Sequence, residues 1–181
     1  MPRLVRVFIV INKDFLDANP YVRNEIADLY TEIYNASPWN EDWTKESALN
    51  ELLEVEQKQG FAGAVARDQE LVAFSWGYKV QSENTARVDF RKIRAKLEMV
   101  GLDPEDAFYG ADTGVRIDYR KNGIGSLILK ERAKSTDAGV VLFRTLNPQM
   151  LRIYRTALGK EIFSFLEESS YKGGRVYVFK K

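Results

Sequence analysis

Not one cysteine or histidine occurs among the 181 residues, and that absence limits what can hold the chain together. No disulfide and no thiolate–zinc clip is available. The folded state must therefore rest on an apolar core. The length suffices for that, because a chain of this size buries roughly 70% of its unfolded surface on folding. It also argues for one domain across residues 1–181. Hydrophobic residues at 45% and charged residues at 29% give an ordinary globular balance. The same absence restricts chemistry. A thiol nucleophile and a Ser-His-Asp arrangement are excluded, and zinc chemistry loses its usual ligands. Carboxylates, tyrosine, lysine, backbone amides and the reactivity of a bound cofactor are what remain.

No apolar run approaches the ~20 residues of a membrane span. Residues Met1 to Val10 read as a strand rather than a leader, so a cytoplasmic location is expected. The net charge of +1 would not draw the chain to nucleic acid. Its distribution is uneven. Residues 1–60 carry 6 Lys/Arg against 11 Asp/Glu, and residues 61–181 carry 21 against 15. An acidic front and a basic back suit two ligands of different charge, or mean only that acidic surface helices come first.

Leu4 to Ile11 is β-branched and apolar, a strand. Pro20 opens a helical pattern through Val22, Ile26, Leu29 and Ile33. Thr44 caps a second helix with Ala48, Leu49, Leu52 and Leu53 on its apolar face, ended by Gly60. Phe61–Ala66 and Leu71–Val80 form a hairpin. Between residues 82 and 104 an inserted helix is expected on Val88, Ile93 and Leu97. Ala107 to Ile117 reads as a strand whose Gly110 and Gly114 predict a bulge. A helix through Leu127 to Ala133, closed by Gly139, precedes a strand from Val140 to Leu146. Asn147-Pro148 starts a helix with Leu151, Ile153, Tyr154 and Leu158. Glu161–Leu166 and Arg175–Lys180 are closing strands around a turn at Gly173-Gly174. The order is that of a mixed α/β domain.

The chemically informative segment is Arg120-Lys121-Asn122-Gly123-Ile124-Gly125-Ser126, between a strand and a helix. Glycines there let successive N–H groups turn toward one point, and the helix adds its positive end. This is a cradle for phosphate or pyrophosphate, with Arg120 and Lys121 beside it. The Walker pattern is absent. The dinucleotide fingerprint fails at its third glycine, where Ile128 stands.

Arg120-x-x-Gly123-x-Gly125 resembles the acetyl-coenzyme A signature of the GNAT acetyltransferase superfamily. Asn147 followed by Tyr154 seven residues later, then Gly159, resembles that family's second motif. The element order agrees over nearly the whole chain. The resemblance implies a mostly antiparallel twisted sheet flanked by helices, with the 82–104 helix as an insertion. It implies that the strand before the glycine loop splays from the Val140–Leu146 strand. Acetyl-coenzyme A would enter that slot, its pantetheine arm on the backbone near Val115 and Ile117. Its pyrophosphate would lie on the amides from Lys121 to Ser126, with Asn147 close by and Tyr154 facing the sulfur.

A thioester is already activated, so acyl transfer needs no covalent enzyme intermediate. An attacking amine must shed a proton, which a carboxylate or an ordered water can take. The departing sulfur needs one, which a tyrosine can give. Asp112 is the candidate base, eight residues before Arg120, ahead of Glu105 and Asp106 nearer the strand's start. Tyr154 is the candidate acid. The alternatives to these roles are a solvated residue at the bulge for Asp112 and a core tyrosine for Tyr154. In the loop Ser37 to Trp43, Trp39, Glu41 and Trp43 are the candidates for holding a cationic amine, or they plug and cap the helices around them. The acceptor is expected to be a small-molecule or peptide amine. Two other functions stay open. One is a coenzyme A-binding module without turnover. The other is a basic interaction protein using Arg87, Arg91, Lys92, Arg94 and Lys96, which otherwise form a solvated helix face. The apolar stretch Ile162 to Leu166 offers a homodimer surface or more core.

Overall fold

A computed structural model describes residues 5, 7–85, 87–167 and 174–181. Alternation of side chains makes its sheet. In strand β2 (Ala62–Arg67), Val65 faces one layer while Ala64 and Ala66 face the other. In β5 (Val140–Thr145), Leu142 and Phe143 divide in the same way. With β1 (Val7–Ile11), β3 (Leu71–Lys79), β4 (Ala107–Val115), β6 (Phe163–Glu167) and β7 (Gly174–Lys180), these form one seven-stranded sheet ordered β1-β2-β3-β4-β5-β7-β6. Every neighbouring pair is antiparallel except β4 and β5.

Two irregularities in β4 position the site. Trp76 of β3 pairs with Asp112, but the next residue, Gly77, pairs with Gly110, so Ala111 is an extra residue in the ladder. This is the bulge the glycines predict, and it turns Ala111 and Asp112 to the same face. The second irregularity is that parallel pairing with β5 runs only from Ala107↔Val140 to Gly110↔Phe143. Beyond Gly110 the two strands part, and β5 continues its ladder with β7.

Helices cover both faces. α1 (Lys13–Ala18), α2 (Pro20–Asn35), α3 (Lys45–Val55) and α4 (Phe90–Met99) bury Leu16, Ile26, Leu29, Leu52, Phe90 and Ile93 against one side. α5 (Ile124–Lys134) and α6 (Pro148–Leu158) cover the other. Local signals set their starts. Thr44 and Ser47 exchange a reciprocal capping box at α3, and the Asn147 side chain accepts from Gln149 N at α6. α2 and α3 are clamped by Arg23 and Glu56, whose two hydrogen bonds are each 2.9 Å long.

Some expectations are corrected. α1 was not foreseen: it holds a single buried residue, Leu16, and so carries no periodic pattern. β4 stops at Val115: one more rung, Arg116 N to Val72 O, follows, and then Ile117–Tyr119 wind into a 3-10 turn. α3 ends at Val55 and α5 at Lys134, each several residues before the glycine expected to close it. Gly174 belongs to β7, while Leu4, Arg6 and Gly173 lie outside the described residues. Phe163 and Phe165 of β6 pack on the core while Ile162 and Leu166 stay exposed. Among the described residues no helix is long and apolar enough to cross a membrane.

Candidate functional site

The bulge delivers Asp112 to the floor of a cavity of about 1190 Å³ on the α2–α3 face. Both strands of the splayed pair reach it, Ala111 and Asp112 from β4 and Arg144 and Thr145 from β5. The cavity therefore opens onto the gap that follows Gly110. Its wall is aromatic, with Tyr30, Tyr34, Trp39, Trp43, Tyr78 and Tyr109. Tyr30 and Tyr34 are one helical turn apart on α2, with ring centroids 4.4 Å apart, and Trp43 meets Tyr30 edge-on. The loop bearing Trp39 and Trp43 is pinned by Asn35. Its amide nitrogen donates to Trp43 O, and its oxygen accepts from Trp43 N, both at 2.8 Å.

Each Asp112 oxygen accepts one hydrogen bond, Oδ1 from the Tyr34 hydroxyl at 3.1 Å and Oδ2 from Trp76 Nε1 at 3.2 Å. Burial pushes its carboxyl above the ordinary range, and the Arg87 guanidinium and these two donors pull against that rise. A carboxylate has lone pairs to spare beyond two donors, so Asp112 can still take a proton. Glu51 also lines the cavity, and burial raises its carboxyl with Arg87 opposing. Arg87 stands 3.1 Å from the Glu51 carboxylate and lies over the Trp43 ring, 5.5 Å from its centroid. The carboxylates Glu41, Asp42, Glu51 and Asp112 face two arginines, Arg87 and Arg144, so acidic groups prevail in the lining.

The structure brings Asp112, Trp39, Glu41 and Trp43 to one cavity, with Glu41 accepting from Trp43 Nε1 at 2.7 Å. Asn147 is at its rim. Glu105 and Asp106 are elsewhere: Glu105 pairs with Arg94, and Asp106 accepts from Gly139 N at 2.8 Å. The basic insertion is largely neutralised, since Arg87, Arg91 and Arg94 meet Glu51, Glu83 and Glu105.

The glycine loop opens α5 as the sequence predicts. Lys121 and Gly123 take positive φ, 64° and 78°. Nothing lies within 4 Å of where a Gly123 side chain would begin. Arg120 Nε reaches back to Val115 O at 2.9 Å, fixing the loop to the end of β4. Lys121 and Asn122 are exposed, while Ile124 is buried and contributes only its backbone. Ile117 stands 66% exposed beside the loop. The space over Gly123 is thus open at a helix N-terminus, a setting that suits pyrophosphate.

Tyr154 lies on the other face, 1% exposed and stacked on Phe143 at 3.5 Å. Its hydroxyl lies against Gly110, where the strands part, and accepts from Arg132 Nη2 at 2.9 Å. Arg87, Glu51 and Arg132 were not singled out as site residues from sequence. Arg132 had a usable signal, because Ile124, Ile128 and Arg132 recur at steps of four along the buried stripe of α5.

No family model and no curated protein sequence matches the chain. Solved structures do. The aminoglycoside acetyltransferase AAC(6')-Ib in complex with coenzyme A and kanamycin superposes with a TM-score of 0.64 at 13% identity, covering 97% of this chain and 94% of that one. An N-acetyltransferase from Staphylococcus aureus Mu50 gives 0.61 at 13%, covering 97% and 99%. A GNAT-family acetyltransferase from Streptococcus pneumoniae gives 0.54 at 16%, covering 97% and 98%. The chain has the GNAT fold, with its mostly antiparallel open sheet flanked by helices.

Proposed function

We propose, with the GNAT fold as premise, that this chain belongs to that superfamily and transfers an acetyl group from acetyl-coenzyme A to an amine. The observation that carries the reading is Asp112, a half-buried carboxylate at the meeting point of an acidic aromatic cavity and the gap between β4 and β5.

The residues present fit the donor. The open space over Gly123, the positive end of α5 and the side chains of Arg120 and Lys121 suit a pyrophosphate. The amides from Lys121 to Ser126, through Asn122, Gly123, Ile124 and Gly125, would hold it. The backbone at Val115 and Ile117 would hold the pantetheine arm. Asn147 contributes by capping the helix that carries Tyr154. When bound, the donor supplies an acyl carbon already activated as a thioester.

Trp39, Trp43 and Glu41 receive the acceptor amine as a cation by ring-face and charge contacts. Asp112 takes one proton from the bound ammonium and passes it to water, which frees the nitrogen lone pair, and takes a second as the nitrogen bonds to the acyl carbon. A raised carboxyl is a better base than an ordinary one, so the burial of Asp112 favours this role. Tyr154 donates a proton to the sulfur as the carbon–sulfur bond breaks and the sulfur leaves with the electron pair. Asp112 then loses its proton to water and Tyr154 regains one, which closes the cycle.

The test is thiol release from acetyl-coenzyme A across polyamines, aminoglycosides, amino acids and peptides. Every thiol detected comes from the donor, because the protein has no cysteine. Release with one amine class is the expected result. Coenzyme A binding without release from any amine would reduce the protein to a binding module. No binding at all would overturn the reading of the glycine loop.

A further inference from the structure

Arg132 is fully buried, yet no carboxylate pairs with it among the described residues. Its Nη1 donates to the Ser75 hydroxyl at 2.9 Å and its Nη2 to the Tyr154 hydroxyl at 2.9 Å. Ser75 is in turn shared with Thr113 Oγ1 at 2.8 Å. The Nε–H has no partner. The guanidinium also lies over two rings, 5.7 Å from the Phe108 centroid and 5.3 Å from that of Tyr154. Arginine keeps its charge inside proteins, so this is a whole positive charge desolvated without a counter-ion. Such a charge works against folding unless something offsets it.

Gly110 makes the arrangement possible. A side chain there would begin 2.8 Å from both Nη atoms and closer still to the Tyr154 hydroxyl. Gly110 is also the last residue of β4 that pairs with β5. The charge and the hydroxyl therefore sit at the point where the strands separate.

The hydrogen-bond inventory orients the hydroxyl. A tyrosine hydroxyl has one proton and two lone pairs, and a guanidinium only donates. Arg132 occupies a lone pair and can never take the proton. Among the described residues nothing else accepts it. The Tyr154 proton is thus uncommitted among the described residues and available to an incoming acceptor.

We propose that Arg132 is the positioning residue for acyl transfer. It fixes the Tyr154 hydroxyl as a donor toward the leaving sulfur and sets an uncompensated positive charge one hydroxyl behind it. The inference rests on the acetyltransferase reading. Sulfur departs as an anion while the carbon–sulfur bond breaks, takes the Tyr154 proton, and the tyrosine is reprotonated from water. The guanidinium, which lacks an anion among the described residues, gains one as that bond breaks.

The experiment uses the full chain and the variants Arg132→Met, Tyr154→Phe and the double variant. Arg132→Met should melt at or above the wild-type temperature, since an apolar side chain of similar length removes a desolvated charge. It should bind coenzyme A within about threefold of wild type, with kcat lower by about 100-fold and KM little changed. Tyr154→Phe should lose a similar factor and the double variant no more than either, because the two act as a unit. A second readout needs no turnover. The thiol of bound coenzyme A, followed by thiolate absorbance against pH, should be about tenfold more acidic on the wild type than on Arg132→Met. If Arg132→Met fails to fold, Arg132→Gln, which keeps hydrogen-bond donors and loses the charge, should give the same thiol result. Multiplying losses in the double variant, an unchanged kcat or an unchanged thiol titration would each overturn the role of Arg132. Failure of the wild type to bind coenzyme A would instead defeat the acetyltransferase reading itself.

Discussion

Asp112 and Trp76 are cross-strand partners in the β3–β4 ladder, and their side chains are joined as well, through the 3.2 Å bond from the indole to the carboxylate. The bulge at Ala111 makes this possible by turning Asp112 onto the α2 face. A structurally fixed and desolvated carboxylate carries opposite consequences for stability and activity. Its folded-state proton affinity lies above that of the unfolded chain, so the ionised form costs stability once pH exceeds the ordinary carboxylate value. Asp112→Asn should therefore melt above wild type at pH ~7, with the difference closing as pH falls below the ordinary carboxylate value of about 3.9. The same variant should lose about 100-fold or more in kcat/KM. Melting curves at several pH values with matched kinetics check both.

Arg87 lowers the proton affinity of Asp112 against the effect of burial. Arg87→Leu removes that opposition, so Asp112 should hold its proton to higher pH. The acid limb of kcat/KM should move upward in pH relative to wild type. A full pH–rate profile of the variant is the measurement, and an acid limb that stays in place would show that Asp112 is not the group titrating.

Gly123 and Gly125 differ in what a methyl group would meet. Gly123 has open space but a φ of 78°, so Gly123→Ala brings about 1–2 kcal/mol of backbone strain. Gly125 has no such φ, and a side chain there would make ordinary contact with Ile153 at 3.4 Å. Gly123→Ala should weaken coenzyme A binding by about tenfold or more, and Gly125→Ala far less. Calorimetric titration of both variants compares them.

Glu56 is 3% exposed and bonded twice to Arg23, and it does not itself line the cavity. Glu56→Ala leaves Arg23 with only the half-exposed Asp17 as its anion and should cost about 1.5–3 kcal/mol. Denaturant unfolding measures the loss. The kcat of the folded fraction should match wild type, which separates this structural pair from the pair at Gly110.

What sequence made legible was local. Thr44 with Ser47, Asn147 with Pro148, and Gly123 within its basic loop each declare a helix start through nearby atoms. The bulge was legible because two glycines interrupt an otherwise apolar strand. Asp112, Trp39, Glu41 and Trp43 were readable as candidates, and folding gathers them in one cavity. Arg87 was not, because in sequence it is one of several basic residues in an insertion, and its neighbours do turn to solvent. Only packing against α3 puts it beside Glu51. Arg132 differs, because its spacing from Ile124 and Ile128 marks the buried stripe, yet a basic residue in the last turn of a helix usually faces water and favours the dipole. Its burial depends on Ser75, Gly110 and Tyr154, which are distant from it and from one another in sequence.

The single parallel seam of the sheet has one further consequence. Because β4 and β5 share only four residue pairs, and beyond them each keeps only its own antiparallel neighbour, the space between them is a product of chain routing. Opening it breaks no ladder hydrogen bond, and filling it requires no segment to become ordered first. A ligand entering there is spared the entropy of remodelling its host. The fold thus stores recognition as a gap in its own connectivity, which stays in place as long as the sheet does and leaves the surrounding side chains free to diverge.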